Sequence, residues 1–258
     1  MRRVAALLLS VLSQCGFAAP VAPEFVSIPA GEFKSALRYE DAAGPVRMRE
    51  FRLMRTPVTN AQFLAFVRRH PEWQRGRAAV ALAESRYLSR WAAPLDPGAS
   101  ALPDQPVTWV SWFAAHSYCE AQGARLPTWL EWEYVASADA TRRDARADPA
   151  WRETILEWYA SPSNDVLPPV GQNPANVYGV QDLHGLVWEW IDDASALLVS
   201  SDNREQGAAD KLRFCGASAL STDDRENYAI LMRVAMLSSL EAADATGNMG
   251  FRCAQDIP

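Results

Sequence analysis

Lysine is scarce in this 258-residue chain. Only Lys34 and Lys211 are lysines, so the cationic charge is almost all arginine, and the formal net charge is -6 at pH 7. The sequence also has no long basic stripe. Because a sequence-independent phosphate-binding surface needs clustered cationic side chains, we do not expect a nucleic acid as a partner.

Long apolar runs are lacking too. The run from Val4 to Leu12 is shorter than the roughly 20 residues that a membrane-spanning helix needs. Two arginines precede this run, and small residues follow it as far as Ala19. This order is typical of a secretory signal peptide. We therefore predict a signal peptide at 1–19, an exported domain at 20–258 without a transmembrane segment, and a periplasmic or secreted location.

Cysteine is also infrequent, since the chain contains only Cys15, Cys119, Cys215 and Cys253. Thiols outside the cytoplasm tend to pair. Removal of Cys15 with the signal peptide would leave three cysteines, which allows at most one intrachain disulfide and one unpaired thiol. An alternative is that Cys15 carries a lipid anchor, although Gln14 is a poor residue immediately before such a site.

Large aromatic and turn-forming residues are abundant. The chain has 10 Trp, 7 Tyr and 9 Phe beside 17 Pro and 13 Gly. This combination indicates irregular backbone held in place by large side chains rather than a helical bundle.

Capping patterns predict four helices, which begin after Thr59, Ser111, Thr128 and Asp148. Thr59 and Thr128 are each followed three residues later by Gln or Glu, the spacing of a capping box. Strands are expected at 25–28, 46–53, 211–215, 228–236 and 249–254. We find no internal repeat and no second core, so the sequence predicts one α+β domain with helices early and irregular strands late.

Five segments in fixed order resemble the formylglycine-generating enzyme family, also called sulfatase-modifying factors. They are FVSIPAGEF (25–33), PVTNAQFLAFV (57–67), PVTWVSWFAAHSYCEAQGARLPTWLEWEYVA (106–136), NVYGVQDLHGLVWEW (176–190) and GFRCA (250–254). The ordered set is specific and spans almost the whole expected mature chain. The resemblance implies a variant of the C-type-lectin fold, a single domain with little regular secondary structure.

The resemblance also implies a structural calcium ion at Asp182, Gly185, Val187 and Glu189. A hard cation takes several oxygen ligands, which two carboxylates and the backbone carbonyls of the glycine and valine would provide. Leu186 stands where the family usually has asparagine. The alternative is a glycine turn in which Glu189 pairs with an arginine.

The family's catalytic chemistry uses two nearby cysteines that bind copper(I) and activate oxygen, a preference that soft thiolates satisfy. Here the position of the first catalytic cysteine falls on Ser221, and no cysteine lies between Cys215 and Cys253. Because a hydroxyl is a poor copper(I) ligand, copper is not expected. Ser218 matches the serine beside the reactive cysteine, so Ser218 and Ser221 mark the candidate catalytic region, although no general base is identified beside them.

Two cysteines, Cys119 and Cys253, match positions that form a structural disulfide in the family. Cys215 would then be the unpaired thiol, which we expect to be buried and inert.

Three histidines are present, His70, His116 and His184, each in a different segment. Related iron enzymes of this fold class need a clustered set of three, so an iron oxygenase is not favoured. His116 and Cys119 lie three residues apart on one predicted helix face and would reach a common metal unless Cys119 is in a disulfide. His184 is expected at the rim of the calcium turn or exposed to solvent.

Three functions remain open at this point. The first is a monomeric binding or accessory protein in the maturation of another exported protein, with a protein or peptide as partner. The second is an oxidoreductase with altered site chemistry, either formylglycine-generating oxidase-like or active in the oxidative maturation of a secreted metabolite or protein. The third is the family's own sulfatase-modifying oxidation, with copper held at Cys215.

Overall fold

A computed structural model describes residues 22–36, 44–161, 166–194 and 228–257. Within these ranges, helices are few and strands are short. The helices are α1 (Asn60–Arg69), α2 (Trp112–Ala121), α3 (Trp129–Ala136), α4 (Pro149–Ala160) and α5 (Tyr228–Ser238). The strands are β1 (Phe25–Ile28), β2 (Gly31–Phe33), β3 (Val46–Met48), β4 (Phe51–Met54), β5 (Trp188–Trp190), β6 (Met249–Phe251) and β7 (Ala254–Asp256). None of the helices in these ranges is long and apolar enough to cross a membrane.

Side-chain caps define where the first four helices begin, as predicted. The Thr59 and Thr128 side chains each accept a hydrogen bond from the backbone N–H three residues later. The side chains of Gln62 and Glu131 accept one from the backbone N–H of the capping residue in return. Such reciprocal bonds satisfy donors that the first helical turn leaves unpaired.

Three small sheets connect distant parts of the chain. The antiparallel order β1-β4-β7 joins the N-terminal and C-terminal strands, while β2 pairs with β3 and β5 pairs in parallel with β6. The strand predicted at 46–53 is two strands, because β3 pairs with β2 whereas β4 pairs with β1 and β7. The strand predicted at 249–254 is likewise divided between β6 and β7, which belong to different sheets.

The strand predicted at 228–236 is wrong, since this segment is helix α5. Val234 and Leu237, three residues apart, are both buried, while Met232 is exposed, which is the pattern of one helix face against the core. Nearly every residue of the segment is apolar, so the sequence fits either period. A helix therefore lies late in the chain, against the expectation of strands alone. The strand predicted at 211–215 lies outside the described residues.

One aromatic-rich core holds these elements together. Its largest fully buried aromatic side chains include Trp91, Trp129, Trp132 and Trp190. The disulfide Cys119–Cys253 joins α2 to the residue before β7, across 134 positions of sequence. The observed architecture is the predicted α+β single domain with little regular secondary structure.

Candidate functional site

A fully buried ion pair lies between β5 and the C-terminal segment. The Nη2 of Arg252 is 2.7 Å from Oε1 of Glu189, and its Nε is 2.9 Å from Oε2. Both side chains have no solvent exposure. The indole N–H of Trp132 on α3 donates to the same carboxylate at 2.9 Å. Glu189 is therefore fully engaged by protein donors.

Arg252 also holds three backbone carbonyls. Its Nη1 donates to the carbonyls of Met54 (3.0 Å) and Arg55 (3.1 Å), and its Nη2 donates to that of Gln181 (2.9 Å). A guanidinium has five N–H donors in a planar fork, which suits such a junction. Arg252 thus ties the end of β4 and the turn before β5 to the buried carboxylate.

A second buried guanidinium, that of Arg233 on α5, lies beside this pair. It stacks over the Trp132 ring, 3.5 Å from the centroid, and its Nη2 donates to the Glu189 carbonyl at 2.6 Å. Its Nε has no hydrogen-bond partner among the described residues, and burial lowers the pKa of Arg233 to about 10. We call Glu189, Arg233 and Arg252 with Trp132 the arginine cluster, in which two guanidinium groups face one carboxylate.

Asp182 occupies a tight turn seven residues before Glu189. Its backbone has a positive φ of 60°, a conformation that aspartate adopts more readily than most residues. Its buried carboxylate accepts hydrogen bonds from the backbone N–H of Gly171 and from Nδ2 of Asn173, the latter at 2.9 Å. The side chain thereby fixes the loop that contains these two residues.

This arrangement does not fit the calcium site expected at Asp182, Gly185, Val187 and Glu189. A calcium ion needs free oxygen ligands at about 2.3 to 2.6 Å, but both carboxylates already accept N–H donors. A cation at Glu189 would also lie beside the Arg252 guanidinium and be repelled by it. The structure instead contains the alternative, a glycine turn with Glu189 paired to an arginine; Gly185 has a φ of 91° in this turn.

A cavity of about 360 Å³ opens next to the same turn. One wall is the apolar face of α4, with Trp151, Ile155 and Trp158. Outside α4, the lining residues lie within 136–140, 173–176 and 180–185. Cavities of this size with apolar walls are typical of sites for small molecules or single side chains.

His184 contributes a ring to this cavity. Its Nε2 is 2.9 Å from the Ala136 carbonyl oxygen, and since a carbonyl only accepts, Nε2 carries the proton. The rings of Trp132 and Trp151 lie nearly perpendicular to the imidazole ring, at centroid distances of 5.6 and 5.7 Å. The remaining nitrogen, Nδ1, is buried and has no hydrogen-bond partner within the part of the chain that the structure describes.

Burial lowers the pKa of His184 to about 4, and the charges of Arg233 and Arg252 act in the same direction. The ring is therefore neutral at physiological pH. His184 is half-buried as a residue, which agrees with a place at the rim of the turn, but its Nδ1 is buried because tryptophans from α3 and α4 pack against the ring. No local sequence signal indicated this packing.

An aromatic cluster of Trp158, Tyr159 and Trp188 adjoins the cavity. The Trp188 ring lies 5.6 Å from that of Trp158 and 4.9 Å from that of Tyr159, measured between centroids. All three residues are half-buried. Since Trp158 also lines the cavity, the aromatic cluster and the cavity form one partly exposed apolar region.

The structure describes two of the four cysteines. Cys119 and Cys253 form a disulfide with a Cα–Cα distance of 5.5 Å, so a metal site that combines His116 with Cys119 is not formed. His116 instead stacks on Trp112 at 4.8 Å. Cys15, Cys215, Ser218 and Ser221 lie outside the described residues.

Known proteins resemble this chain over most of its length. Residues 16–257 match the sulfatase-modifying factor enzyme 1-like domain. A formylglycine-generating enzyme of Streptomyces coelicolor is 31% identical, covering 90% of this chain and 88% of that protein. A Mus musculus protein named inactive C-alpha-formylglycine-generating enzyme 2 is 29% identical, covering 90% of this chain and 85% of that protein.

The solved structure of PvdO from Pseudomonas aeruginosa has the same fold. It covers 91% of this chain and 95% of its own, with a TM-score of 0.51 and 19% sequence identity. At that identity the likeness concerns the fold alone. The domain match over almost the whole length, together with the Streptomyces coelicolor relative, shows that the chain belongs to the formylglycine-generating enzyme family, the sulfatase-modifying factors.

Proposed function

We propose that this chain is a binding or accessory protein in the maturation of another exported protein. It uses the family's fold without the family's copper dithiolate. Its partner is an exported polypeptide, bound through the cavity and the adjoining aromatic cluster, and the chain acts as a monomer in the periplasm or outside the cell.

The observation that carries the proposal is the distribution of cysteine. The disulfide takes up Cys119 and Cys253, both fully buried. Only Cys15 and Cys215 remain in the sequence, and the position that matches the first catalytic cysteine is Ser221. Copper(I) prefers soft thiolate ligands, so a serine hydroxyl cannot replace the missing sulfur.

Two further facts support the proposal. The mouse relative is named as an inactive member of the family, so the fold persists in a protein named without the activity. Disulfides are characteristic of oxidising compartments, so the Cys119–Cys253 bond supports an exported location.

The apolar region supports a binding role. Half-buried aromatic side chains combine large contact area with few rotatable bonds, which makes them frequent anchors in interfaces. Trp158 belongs to both the cavity wall and the aromatic cluster, so a peptide chain lying across the cluster would place one side chain in the cavity.

Two measurements on the full chain test the proposal. The probe is a fluorescein-labelled synthetic peptide that contains one cysteine and one tyrosine. We expect saturable binding by fluorescence anisotropy, a loss of affinity of at least about tenfold in Trp158→Ala, consistent with an aromatic anchor, and no change in Val80→Ala, an exposed apolar residue outside the cavity.

The second measurement is oxygen consumption with the same peptide and added copper(I), and we expect none above the protein-free control. Copper-dependent oxygen uptake that requires the protein would contradict the proposal and favour the oxidoreductase alternative. Absence of peptide binding in the wild-type chain would contradict the accessory role.

A further inference from the structure

We propose that the cavity binds a neutral, planar group that donates one hydrogen bond to Nδ1 of His184, as a phenol or an indole does. The inference deepens the proposed function by naming the ligand chemistry of its cavity, and rests on that proposal only for the source of the ligand. Two sources share this chemistry, a free small molecule and a tyrosine or tryptophan side chain of a polypeptide.

The hydrogen bond of His184 determines which of its ring nitrogens carries the proton. Because the Ala136 carbonyl fixes the proton on Nε2, Nδ1 presents a lone pair. That atom is buried, and no group among the described residues bonds to it. Buried polar atoms in folded proteins are nearly always hydrogen-bonded, so a buried, unpaired acceptor in a side chain that lines a cavity supports a donor supplied from outside the chain.

The amide, hydroxyl and carboxylate side chains on the cavity wall have protein partners, whereas the indole N–H groups of Trp151 and Trp158 are donors and cannot pair with a further donor. Asn173 donates to Asp182, which also accepts from a backbone N–H. Asn176 donates to the carbonyl of Val135 and accepts two backbone N–H groups. Thr154 donates to a carbonyl of its own helix, and Asp139 pairs with an arginine. Among the described wall residues, His184 is therefore the one with a buried side-chain acceptor that lacks a partner.

The shape of the cavity favours a planar ligand. Trp151 and Trp158 provide flat aromatic surfaces on α4, with Ile155 between them. Aromatic rings pack well against such surfaces in offset or edge-to-face geometries. A planar ligand with one hydrogen-bond donor would therefore pack against these walls and donate to Nδ1 of His184.

Positive charge near His184 restricts which kinds of donor fit the cavity. The charges of Arg233 and Arg252 disfavour protonation of His184, and a cationic donor at Nδ1 would meet the same repulsion. An anionic phenolate has no proton to donate. A neutral O–H or N–H donor remains as the group that fits.

The test compares phenol with anisole, which has a similar shape but no donor. Long-range ¹H–¹⁵N NMR of the full-length protein reports both ring nitrogens of its three histidines. We expect His184 to show an unprotonated Nδ1 whose resonance moves upfield on addition of phenol and stays in place with anisole. Phenol should bind at least about fivefold more tightly than anisole, the difference that one hydrogen bond of about 1 kcal/mol supplies.

Two variants serve as a matched pair. His184→Phe keeps a planar ring but removes the acceptor, and should bind phenol and anisole equally. Thr154→Val changes another polar wall residue and should retain the wild-type preference. Equal binding of the two probes by the wild-type protein, or an Nδ1 resonance that phenol leaves unmoved, would overturn the proposal even if His184→Phe fails to fold.

A second pair of probes distinguishes a free small molecule from a polypeptide side chain as the source of the ligand. A capped Gly-Tyr-Gly tripeptide that shifts Nδ1 at lower concentration than phenol indicates a polypeptide side chain, whereas a shift by phenol alone indicates a free small molecule. These readouts involve neither copper nor oxygen. Failure of the cavity proposal is therefore distinguishable from failure of the proposed accessory function, which the labelled peptide and the oxygen measurement test.

Discussion

Glu189 has a chemical role that depends on a residue 63 positions away. The sequence left two alternatives, a calcium ligand or a partner of an unnamed arginine. Arg252 decides between them because β5 pairs with β6, which places residues 188–190 beside 249–251. Only the tertiary pairing of these strands brings the guanidinium to the carboxylate, so local sequence could not name the partner.

Removal of Arg252 should be strongly destabilising. In Arg252→Met, Glu189 would remain buried without its counter-ion, and breaking a buried pair in this way costs roughly 3 to 5 kcal/mol. Urea unfolding measures the change in the free energy of unfolding. The control is Arg47→Met, which removes an ion pair between exposed side chains and should leave stability almost unchanged. Equal effects of the two substitutions would contradict a structural role for the buried pair.

His184 should make the protein less stable as the pH falls. Its pKa of about 4 in the folded chain lies below the unfolded value of about 6.5. Between these values the unfolded chain binds more protons, so stability rises with pH and is lost on acidification. Arg233 and Arg252 face the ring and keep their charge throughout.

The measurement is the melting temperature of the wild type and of His184→Phe from pH 7.5 to pH 4.5. The melting temperature of the wild type should fall by ~3 °C or more beyond the decrease seen in the variant. Aspartates with lowered pKa, such as Asp139 and Asp256, contribute equally to both proteins. Parallel curves would contradict a buried neutral His184.

At the scale of elements, the sequence predicted those helices whose start is encoded locally. The caps at Thr59, Ser111, Thr128 and Asp148 are all present. Helix α5 was missed because its nearly uniform apolar composition does not distinguish a helical from an extended period. The divisions at 46–53 and 249–254 were missed because strand partners, which lie far away in sequence, determine where each strand ends.

The turn before β5 is held by protein groups, and this leads to a prediction on calcium. Asp182 and Glu189 both accept N–H donors, so excess EDTA should leave the melting temperature unchanged, and added calcium should not raise it. Differential scanning fluorimetry with and without excess chelator measures the melting temperature. A chelator-induced decrease that calcium reverses would reinstate the predicted metal site.

At the scale of the whole molecule, the disulfide restrains the unfolded chain. Cys119 and Cys253 are separated by 134 positions, and the loop-entropy model assigns a bridge of that span about 5 kcal/mol. The double variant Cys119→Ala/Cys253→Ala should lower the free energy of unfolding by roughly 2 to 5 kcal/mol. Cys215→Ala is the control and should have little effect. A double variant as stable as the wild type would contradict a structural role for the bond.

The sequence predicted the fold of the whole molecule better than it predicted the chemistry of its sites. The ordered motifs predicted the family and its α+β domain, because they encode caps, aromatic anchors and strand ends throughout the chain. The cavity and the arginine cluster were not predicted, because they combine single residues from α3, α4, α5 and the C-terminal segment. Ser218 and Ser221 stay predictions of a candidate region.

We infer that the family's fold persists here without its copper dithiolate. Titration of copper(I) against a competing chelator measures whether the chain still binds this metal. We expect no stoichiometric high-affinity binding, and identical curves for the wild type and Cys215→Ser. One tightly bound copper(I) per chain, lost in Cys215→Ser, would contradict this inference.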